Sequence, residues 1–206
     1  MTLNNQTVQE TDENLLTQFV NGEYAAFQLL YERHKGGLFR YVARQLHDQN
    51  LVEDIFQEVW SKVISRASSF DQQAKFTTWL YTIARHHLID HIRHIKVVEN
   101  VISESENKEA VEGVSASSPE QAHDTVLQSQ ALMQCLDKLP MQQKDCFLLK
   151  EESGLSAKEI AEIIDTGFEA TKSRLRYAYQ SLRHCLEQKL GDLLKSDTGN
   201  KGGQSI

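Results

Sequence analysis

Residues 51–96 read LVEDIFQEVWSKVISRASSFDQQAKFTTWLYTIARHHLIDHIRHIK and contain two helical patterns joined by a polar loop. Apolar residues recur every three or four positions in both patterns, which predicts two amphipathic helices packed through their apolar faces. Each pattern also carries a polar stripe on another face, which a packed core does not require. The first stripe is Asp54, Gln57, Glu58 and Ser61, and the second is Thr78, Thr82, Arg85, His86, Arg93 and Lys96.

The two stripes differ in chemistry. An acid and amide stripe suits a basic protein surface, whereas a base and hydroxyl stripe suits phosphate. The pair therefore predicts an adaptor between a protein and a nucleic acid. The loop between them, residues 67–75, is rich in side chains that can hydrogen-bond a base edge, although a solvated polar loop has the same composition.

The overall composition is that of an ordinary globular protein, with 206 residues, 40% of them hydrophobic. No apolar run is long enough to cross a membrane, so no membrane insertion is expected. The first nine residues lack both a basic start and an apolar core, so we expect no signal peptide and a cytoplasmic location. Three widely spaced cysteines without a CxxC pair predict reduced side chains in the core.

The formal charge of −7 is unusual for a nucleic-acid-binding protein, but it is unevenly distributed. Residues 97–125 hold seven acids against one lysine, whereas residues 72–96 and 166–189 each carry a net charge of +3. Two modest basic surfaces are thus separated by an acidic connector. Since affinity for DNA grows with the number of phosphates neutralised, either surface alone should bind DNA weakly.

The sequence as a whole predicts an all-α protein of two small helical domains, because helical patterns recur along it and no strand pattern appears. A helix begins at Asp12 and ends near Asn21-Gly22, and the next helical pattern crosses Gly36-Gly37, where a bend or break is expected. The predicted units are a first domain at 12–96, an acidic flexible linker at 97–118, a second domain at 119–190 and a disordered tail at 191–206.

The second domain carries the layout of a helix-turn-helix. A helix start is predicted at Ser118-Pro119, and two capping boxes follow, at 156–159 and 166–169. A short helix, a tight turn with Gly167 and a basic second helix would place that second helix in the major groove, although a plain helical hairpin has the same pattern. The candidate DNA contacts are Thr171, Lys172, Ser173, Arg174, Arg176 and Tyr177. The predicted inner face is Phe168, Ala170, Leu175, Ala178 and Leu182.

At this point the sequence resembles the extracytoplasmic-function (ECF) class of the sigma-70 family of bacterial RNA polymerase sigma factors. EDIFQEVW at 53–60 is similar to the polymerase-binding helix of the first sigma domain, and FTTWLYTIAR at 76–85 to its promoter-melting helix. Leu139-Pro140, Gly154-Leu155-Ser156 with Glu159-Ile160-Ala161, and Lys172-Ser173-Arg174-Leu175 resemble the second sigma domain. Each motif alone is moderately specific for the family, whereas all of them in this order along one chain are a highly specific signature.

The resemblance implies a sigma factor that binds core RNA polymerase, recognises the minus-10 and minus-35 promoter elements and aids promoter melting. It implies no catalysis, cofactor or metal, and it adds an anti-sigma factor as a partner. The polymerase contacts it implies are Asp54, Gln57 and Glu58. The minus-10 contacts are Phe70, Asp71, Lys75, Trp79, Thr82, Arg85, His86 and Arg93.

The sequence departs from the family pattern in two places, one in each domain. His86 stands where the family has an asparagine that contacts a flipped minus-10 base, so the resemblance does not set the base preference there. Glu169-Ala170-Thr171 replaces the usual Gly-Thr-Val before the basic run of the second domain.

Two other functions fit parts of the sequence. A stand-alone helix-turn-helix repressor explains the C-terminal pattern but leaves the stripe of Asp54, Gln57 and Glu58 without a role. A metal enzyme is suggested by His86, His87, His91 and His94 on one predicted helix, since His87 and His91 stand one turn apart. The sequence lacks the glutamate that follows the first histidine in metal-binding motifs of this kind, and no third ligand is evident in it.

Overall fold

A computed structural model describes residues 10–46, 48–102 and 121–199, and within these ranges the chain is helical with no strand. The predicted all-α class is confirmed. The helices are α1 (Asp12–Val20), α2 (Tyr24–Ala43), α3 (Gln49–Arg66), α4 (Phe76–Ile102), α5 (Gln121–Asp137), α6 (Met141–Ser153), α7 (Ala157–Ile163) and α8 (Phe168–Gly199), with a 3₁₀ turn at Ala67–Ser69.

The first four helices form what we call the N-terminal bundle. Their apolar faces meet in a core whose largest fully buried members include Leu15, Leu30, Ile55, Phe76 and Leu80. Trp60 is buried and belongs to an aromatic cluster with Phe27, Tyr31 and Phe56, so it serves packing. This core fixes the rotation of α3 and α4 and thereby leaves their polar stripes on the outside.

The predicted ends of α1 are confirmed. Thr11 caps its start by accepting a hydrogen bond from the backbone N–H of Asn14 at 3.3 Å, and Asn21 follows its last residue. Gly22 then adopts φ +100°, a conformation that L-residues with a side chain rarely adopt. By contrast, the bend expected at Gly36-Gly37 does not occur, because α2 is continuous through both glycines.

The last four helices form the C-terminal bundle, in which α8 packs against α5, α6 and α7. The predicted capping box at the start of α7 is confirmed: Ser156 and Glu159 each bind the other's backbone N–H. The helix start predicted at Ser118-Pro119 lies outside the described residues. Helix α8 begins at Phe168, one residue later than a capping box on Thr166 requires, and its first backbone bond joins the N–H of Thr171 to the carbonyl of Gly167 at 3.0 Å.

The sequence predicted three reduced cysteines, but two of them form a disulfide in the structure. Cys135 on α5 and Cys185 on α8 form a disulfide, with their Cα atoms 5.8 Å apart, whereas Cys146 is free and buried. Spacing alone could not show the pairing, because 50 residues separate the two partners and only the packing of α5 on α8 brings them together.

The two bundles pack on each other in this structure. Helix α2 lies against α6, and α4 lies against α6 and α7. None of the described helices is both long and apolar enough to cross a membrane.

Candidate protein and nucleic-acid interfaces

The acid and amide stripe predicted on α3 is exposed. Its apolar side, with Val52, Ile55 and Val59, is buried, so helical geometry turns Asp54, Gln57 and Glu58 outward. Glu58 also lies 3.4 Å from the Nδ1 atom of His87 on α4, a contact that becomes an ion pair when the imidazole is protonated. The stripe forms a continuous polar surface beside a shallow groove lined by Tyr31, Phe56, Trp60 and Ile64.

An aromatic surface lies at the junction of the polar loop and α4. The rings of Phe70 and Trp79 are 5.0 Å apart, and both pack on Phe76, which is fully buried. Phe70 and Trp79 remain half-exposed. Asp71, next to them, is exposed and uses its carboxylate to accept a hydrogen bond from the backbone N–H of Gln73 at 2.9 Å, which holds the turn of the loop.

Four of the five predicted minus-10 residues on α4 share one face of the helix, and the fifth, Arg85, turns toward the C-terminal bundle. Trp79, Thr82, His86 and Arg93 are three, four and seven residues apart and share one face of the helix. Thr82 is half-buried and donates its hydroxyl to the carbonyl of Thr78 at 2.8 Å, whereas His86 and Arg93 are exposed.

Lys75 and Arg85, the other predicted basic contacts, turn toward the C-terminal bundle instead. The Nζ atom of Lys75 lies 2.7 Å from a Glu159 carboxylate oxygen, and the Nε atom of Arg85 lies 2.7 Å from Asp145. The hydrogen bonds from Lys75 and Ser156 lower the pKa of Glu159 to about 2. In this structure the two cations are therefore already paired with protein carboxylates.

The helix-turn-helix is formed by α7, a four-residue turn and α8. The left-handed conformation in the turn is adopted by Asp165, with φ +50°, and not by Gly167. On α8, Lys172, Ser173, Arg176 and Tyr177 are exposed together on one side. The Arg176 guanidinium lies 5.0 Å from the centre of the Tyr177 ring, and Lys172 pairs with Glu169 at 3.2 Å.

Two of the predicted minus-35 residues do not join this exposed face. Thr171 is fully buried, and its hydroxyl donates to the carbonyl of Gly167 at 3.2 Å, so its side chain cannot reach DNA in this structure. Arg174 is half-buried and lines a cleft between the bundles. The inner face of α8 is Thr171, Leu175, Ala178 and Leu182, whereas Phe168 and Ala170 are exposed, contrary to the prediction. The buried residues follow steps of four, three and four, so the core side of α8 begins at Thr171.

Sequence reasoning missed the residues of α2 that face the C-terminal bundle. Arg40 and Arg44 both bind the carboxylate of Glu152, and the hydroxyl of Tyr41 donates to Asp145 at 2.9 Å. Burial, together with the nearby Asp145 carboxylate, raises the pKa of Tyr41. The one available signal was the spacing of Gly37, Tyr41 and Arg44, which places all three on one side of α2.

The histidines of α4 do not assemble a metal site among the described residues, where no group of three or more His, Cys, Asp or Glu side chains converges. The described residues therefore offer no third metal ligand to support the metal-enzyme alternative. His94 lies beyond the side chains that the structure describes.

A helix-turn-helix whose second helix exposes basic residues, as α8 does with Lys172 and Arg176, is typical of DNA-binding transcription proteins. Two family models agree with this class: sigma-70 region 2 matches residues 30–96, and sigma-70 region 4 matches residues 129–182. The ECF RNA polymerase sigma factor SigK of Mycobacterium ulcerans is 30% identical over 176 residues, which cover 84% of this chain and 92% of that protein. The RNA polymerase sigma factor YlaC of Bacillus subtilis is 29% identical and covers 75% of this chain and 88% of its own length.

Solved structures share the fold. CnrH, in complex with the cytosolic domain of CnrY, superposes with a TM-score of 0.64 at 19% identity and covers 87% of this chain and 99% of its own. The sigma factor RpoE of Bartonella quintana, in complex with the anti-sigma factor NepR, has a TM-score of 0.61 at 20% identity and covers 78% of this chain and 96% of its own. The chain belongs to the ECF class of sigma-70 family RNA polymerase sigma factors. It is a transcription factor that directs RNA polymerase to promoters.

Proposed function

We propose that the stripe of Asp54, Gln57 and Glu58 on α3 is the surface that binds core RNA polymerase. The observation that supports this most directly is that all three side chains are exposed while the opposite side of α3 is buried. Asp54 and Glu58 stand one turn apart and present two carboxylates to a basic partner. Charge complementarity of this kind guides association and fixes the register of docking.

The minus-10 element is assigned to the face of α4 with Trp79, Thr82, His86 and Arg93, together with Phe70, Asp71, Lys75 and Arg85 at its borders. Opening DNA costs about 1.4 kcal/mol of stacking per base-pair step, so a melting protein must offer replacement contacts to the released bases. The half-exposed rings of Phe70 and Trp79 provide a stacking surface. His86, in place of the family's asparagine, supplies a ring nitrogen to a base edge.

The minus-35 element is assigned to the exposed face of α8, formed by Lys172, Ser173, Arg176 and Tyr177. Their position at the start of the second helix of the helix-turn-helix is where base contacts are made in the major groove. Arg174 borders this face from the cleft, and Thr171 is left out because it is buried.

These assignments divide the chain into a region 2 domain at 12–96 and a region 4 domain at 119–190, which contain the family matches at 30–96 and 129–182. The predicted acidic linker at 97–118 overlaps the end of α4, and the predicted tail at 191–206 overlaps the end of α8. An anti-sigma factor is proposed as a partner, since RpoE of Bartonella quintana was solved with one. We expect the protein in the cytoplasm, where it would work with RNA polymerase.

The polymerase assignment is tested with the double variant Asp54→Ala/Glu58→Ala. We expect it to keep the helical circular dichroism of the wild type but to lose co-purification with core polymerase and promoter-directed transcription in vitro. The matched control is Glu23→Ala/Glu32→Ala, which removes two exposed acids, one just before α2 and one within it. Full retention of polymerase binding by the α3 variant would refute this assignment.

A further inference from the structure

Helix α4 begins without a capping side chain in its own sequence. The residue before it, Lys75, carries only hydrogen-bond donors on its side chain, so it cannot accept from the backbone N–H groups of the first turn. That first turn also contains no acid. The N-terminus of a helix leaves N–H groups without partners inside the helix and carries a partial positive charge, so an acceptor from another element stabilises it.

Glu13 on α1 supplies such an acceptor. Its Oε1 atom accepts a hydrogen bond from the backbone N–H of Phe76 at 2.9 Å, across 63 residues of sequence. Glu13 is half-buried, so this bond is partly shielded from water. The regular bonds of α4 begin beside it, where the N–H of Trp79 donates to the carbonyl of Lys75 at 3.1 Å. The start of α4 is therefore fixed by a residue of α1.

A second hydrogen bond ties the polar loop before α4 to the same side of α1. The side-chain amide of Gln72 donates to the hydroxyl oxygen of Thr17 at 3.3 Å. Thr17 stands about one helical turn after Glu13, and its own hydroxyl donates to the carbonyl of Glu13 at 2.9 Å. Helix α1 thus holds both the loop and the first residue of α4.

Helix α1 is itself firmly attached to the N-terminal bundle. Asp12 pairs with two side chains of α2, Arg33 at 2.8 Å and His34 at 2.6 Å. On the apolar side of α1, Leu15 and Leu16 are buried in the core. A support that is fixed by packing and by polar contacts holds the groups bound to it in one place.

The groups held in this way are the aromatic rings proposed to receive minus-10 bases. Phe76 and Trp79 stand in the first turn of α4, and the Phe70 ring lies 6.4 Å from Phe76 and 5.0 Å from Trp79. If the N–H of Phe76 lost its acceptor, the first turn could unwind and the two half-exposed rings would no longer be held together. Rings that are ordered before the bases arrive bind them better, because ordering them afterwards costs free energy.

We propose that Glu13 is a positioning residue for promoter melting, which caps α4 from α1 and so holds Phe70 and Trp79 in the geometry that captures unstacked bases. This role rests on the proposed function of the two rings as the minus-10 stacking surface. A duplex promoter offers no unstacked base, so Glu13 should affect the opening of the promoter and not the first binding of holoenzyme to it.

Three substitutions of Glu13 separate reach from charge. Glu13→Gln keeps an oxygen acceptor at the same distance but removes the charge, whereas Glu13→Asp keeps the charge and draws it back by one carbon–carbon bond, about 1.5 Å. Glu13→Ala removes both. Asn14→Ala is the matched control, because Asn14 is exposed in the same turn of α1.

Opening is measured with holoenzyme assembled from core polymerase and the full chain. The probe is a duplex promoter whose start site has been mapped by transcription with wild type, with 2-aminopurine in its minus-10 element, since this base becomes more fluorescent when it unstacks. Rates at increasing holoenzyme concentration give two quantities. The concentration at half-maximal rate reports the first binding to duplex, and the plateau rate reports opening.

We expect Glu13→Ala and Glu13→Asp to lower the plateau rate about 10-fold, the effect of losing one hydrogen bond to a charged group, with the half-maximal concentration unchanged. Glu13→Gln should stay within about 3-fold of wild type, since it keeps a neutral hydrogen bond in place of a charged one. Asn14→Ala should match wild type. Glu13→Asp keeps an acid in the first turn of α1, so it decides the question if Glu13→Ala loses its helical circular dichroism.

Three results would overturn the inference. Wild-type plateau rates for Glu13→Ala and Glu13→Asp would show that the cap does not position the rings. Equal losses in Glu13→Gln and Glu13→Asp would show that the hydrogen bond to Phe76 is not what matters. A raised half-maximal concentration with an unchanged plateau would place the role of Glu13 in the first binding. Failure of the proposed function looks different, because Trp79→Ala, which leaves the backbone N–H of Phe76 in place, would then open the promoter as fast as wild type.

Discussion

Glu159 carries two interactions, one within its own helix and one across the bundle contact. One carboxylate oxygen accepts from the N–H of Ser156 at 2.7 Å and closes the capping box, while the other lies 2.7 Å from Lys75. Hydrogen bonds from Lys75 and Ser156 lower its pKa from 4.5 to about 2. Because the folded pKa lies below the unfolded value, Glu159 stabilises the fold above pH 4.5, and this contribution is lost as the pH falls toward 2.

Glu159→Gln keeps a side chain that can complete the capping box but removes the charge that faces Lys75 and the helix N-terminus, so it should lower the free energy of unfolding by about 0.3–1 kcal/mol at pH 7. The difference between variant and wild type should shrink as the pH falls from 4.5 toward 2, because the wild-type carboxylate becomes protonated. Urea titrations at a series of pH values measure this difference in the free energy of unfolding. A difference that does not change with pH would show that the charge of Glu159 contributes nothing.

Single residues also show where sequence reasoning succeeded and where it stopped. Leu175, Ala178 and Leu182 were predicted on the inner face of α8 and are buried there, since helical periodicity reports burial directly. Thr171 and Gly37 were misread. The side chain of Thr171 is buried in the C-terminal bundle, and a Cβ atom at Gly37 would lie 2.5 Å from the backbone carbonyl oxygen of Glu152. Both roles depend on packing against elements that the sequence does not position. The same limit applies to Asp145, whose partners lie at least 60 residues away.

The disulfide between α5 and α8 joins two helices across 50 residues of sequence. Breaking it should lower the free energy of unfolding by about 2–4 kcal/mol, because the unfolded chain regains the entropy of that loop. Urea unfolding followed by circular dichroism, with and without a reductant, measures the change. Burial raises the pKa of the remaining thiol, Cys146, to about 11, so it stays protonated at neutral pH and does not confuse the comparison.

The control for this experiment is Cys135→Ser/Cys185→Ser, which should unfold at the same urea concentration in either buffer. Wild type under oxidising conditions should be the most stable of the samples. If oxidised wild type and the double variant unfold together, the bridge does not constrain the C-terminal bundle.

Helix α8 presents Lys172 and Arg176 on one face and turns Arg174 toward the cleft. If α8 reads the minus-35 element, Lys172→Ala and Arg176→Ala should each weaken promoter binding by about 1–3 kcal/mol where a base edge is contacted. Transcription from promoters with intact and scrambled minus-35 elements measures the effect. Arg183→Ala is the control, since Arg183 is exposed further along the same helix. Equal losses at both kinds of promoter would mean that these residues do not read sequence.

The distribution of charge connects the whole molecule to its function. The chain is acidic overall, at −7, yet its two basic regions lie on different bundles, and part of that basic charge is paired with acids of the opposite bundle. Lys75 and Arg85 are thus partly neutralised by Glu159 and Asp145, so the free chain should bind DNA weakly.

The salt dependence of DNA binding measures how many cations of the chain contact phosphate. For double-stranded DNA the logarithm of affinity falls with the logarithm of salt concentration by about 0.9 for every phosphate neutralised. Lys172 and Arg176 are exposed on α8, so if both contact phosphate, Lys172→Ala/Arg176→Ala should give a slope shallower than that of wild type by about 1.8. Anisotropy titrations of a labelled promoter duplex between low and moderate salt, with the protein bound to core polymerase, give the slopes. Equal slopes for the variant and wild type would mean that neither side chain contacts phosphate.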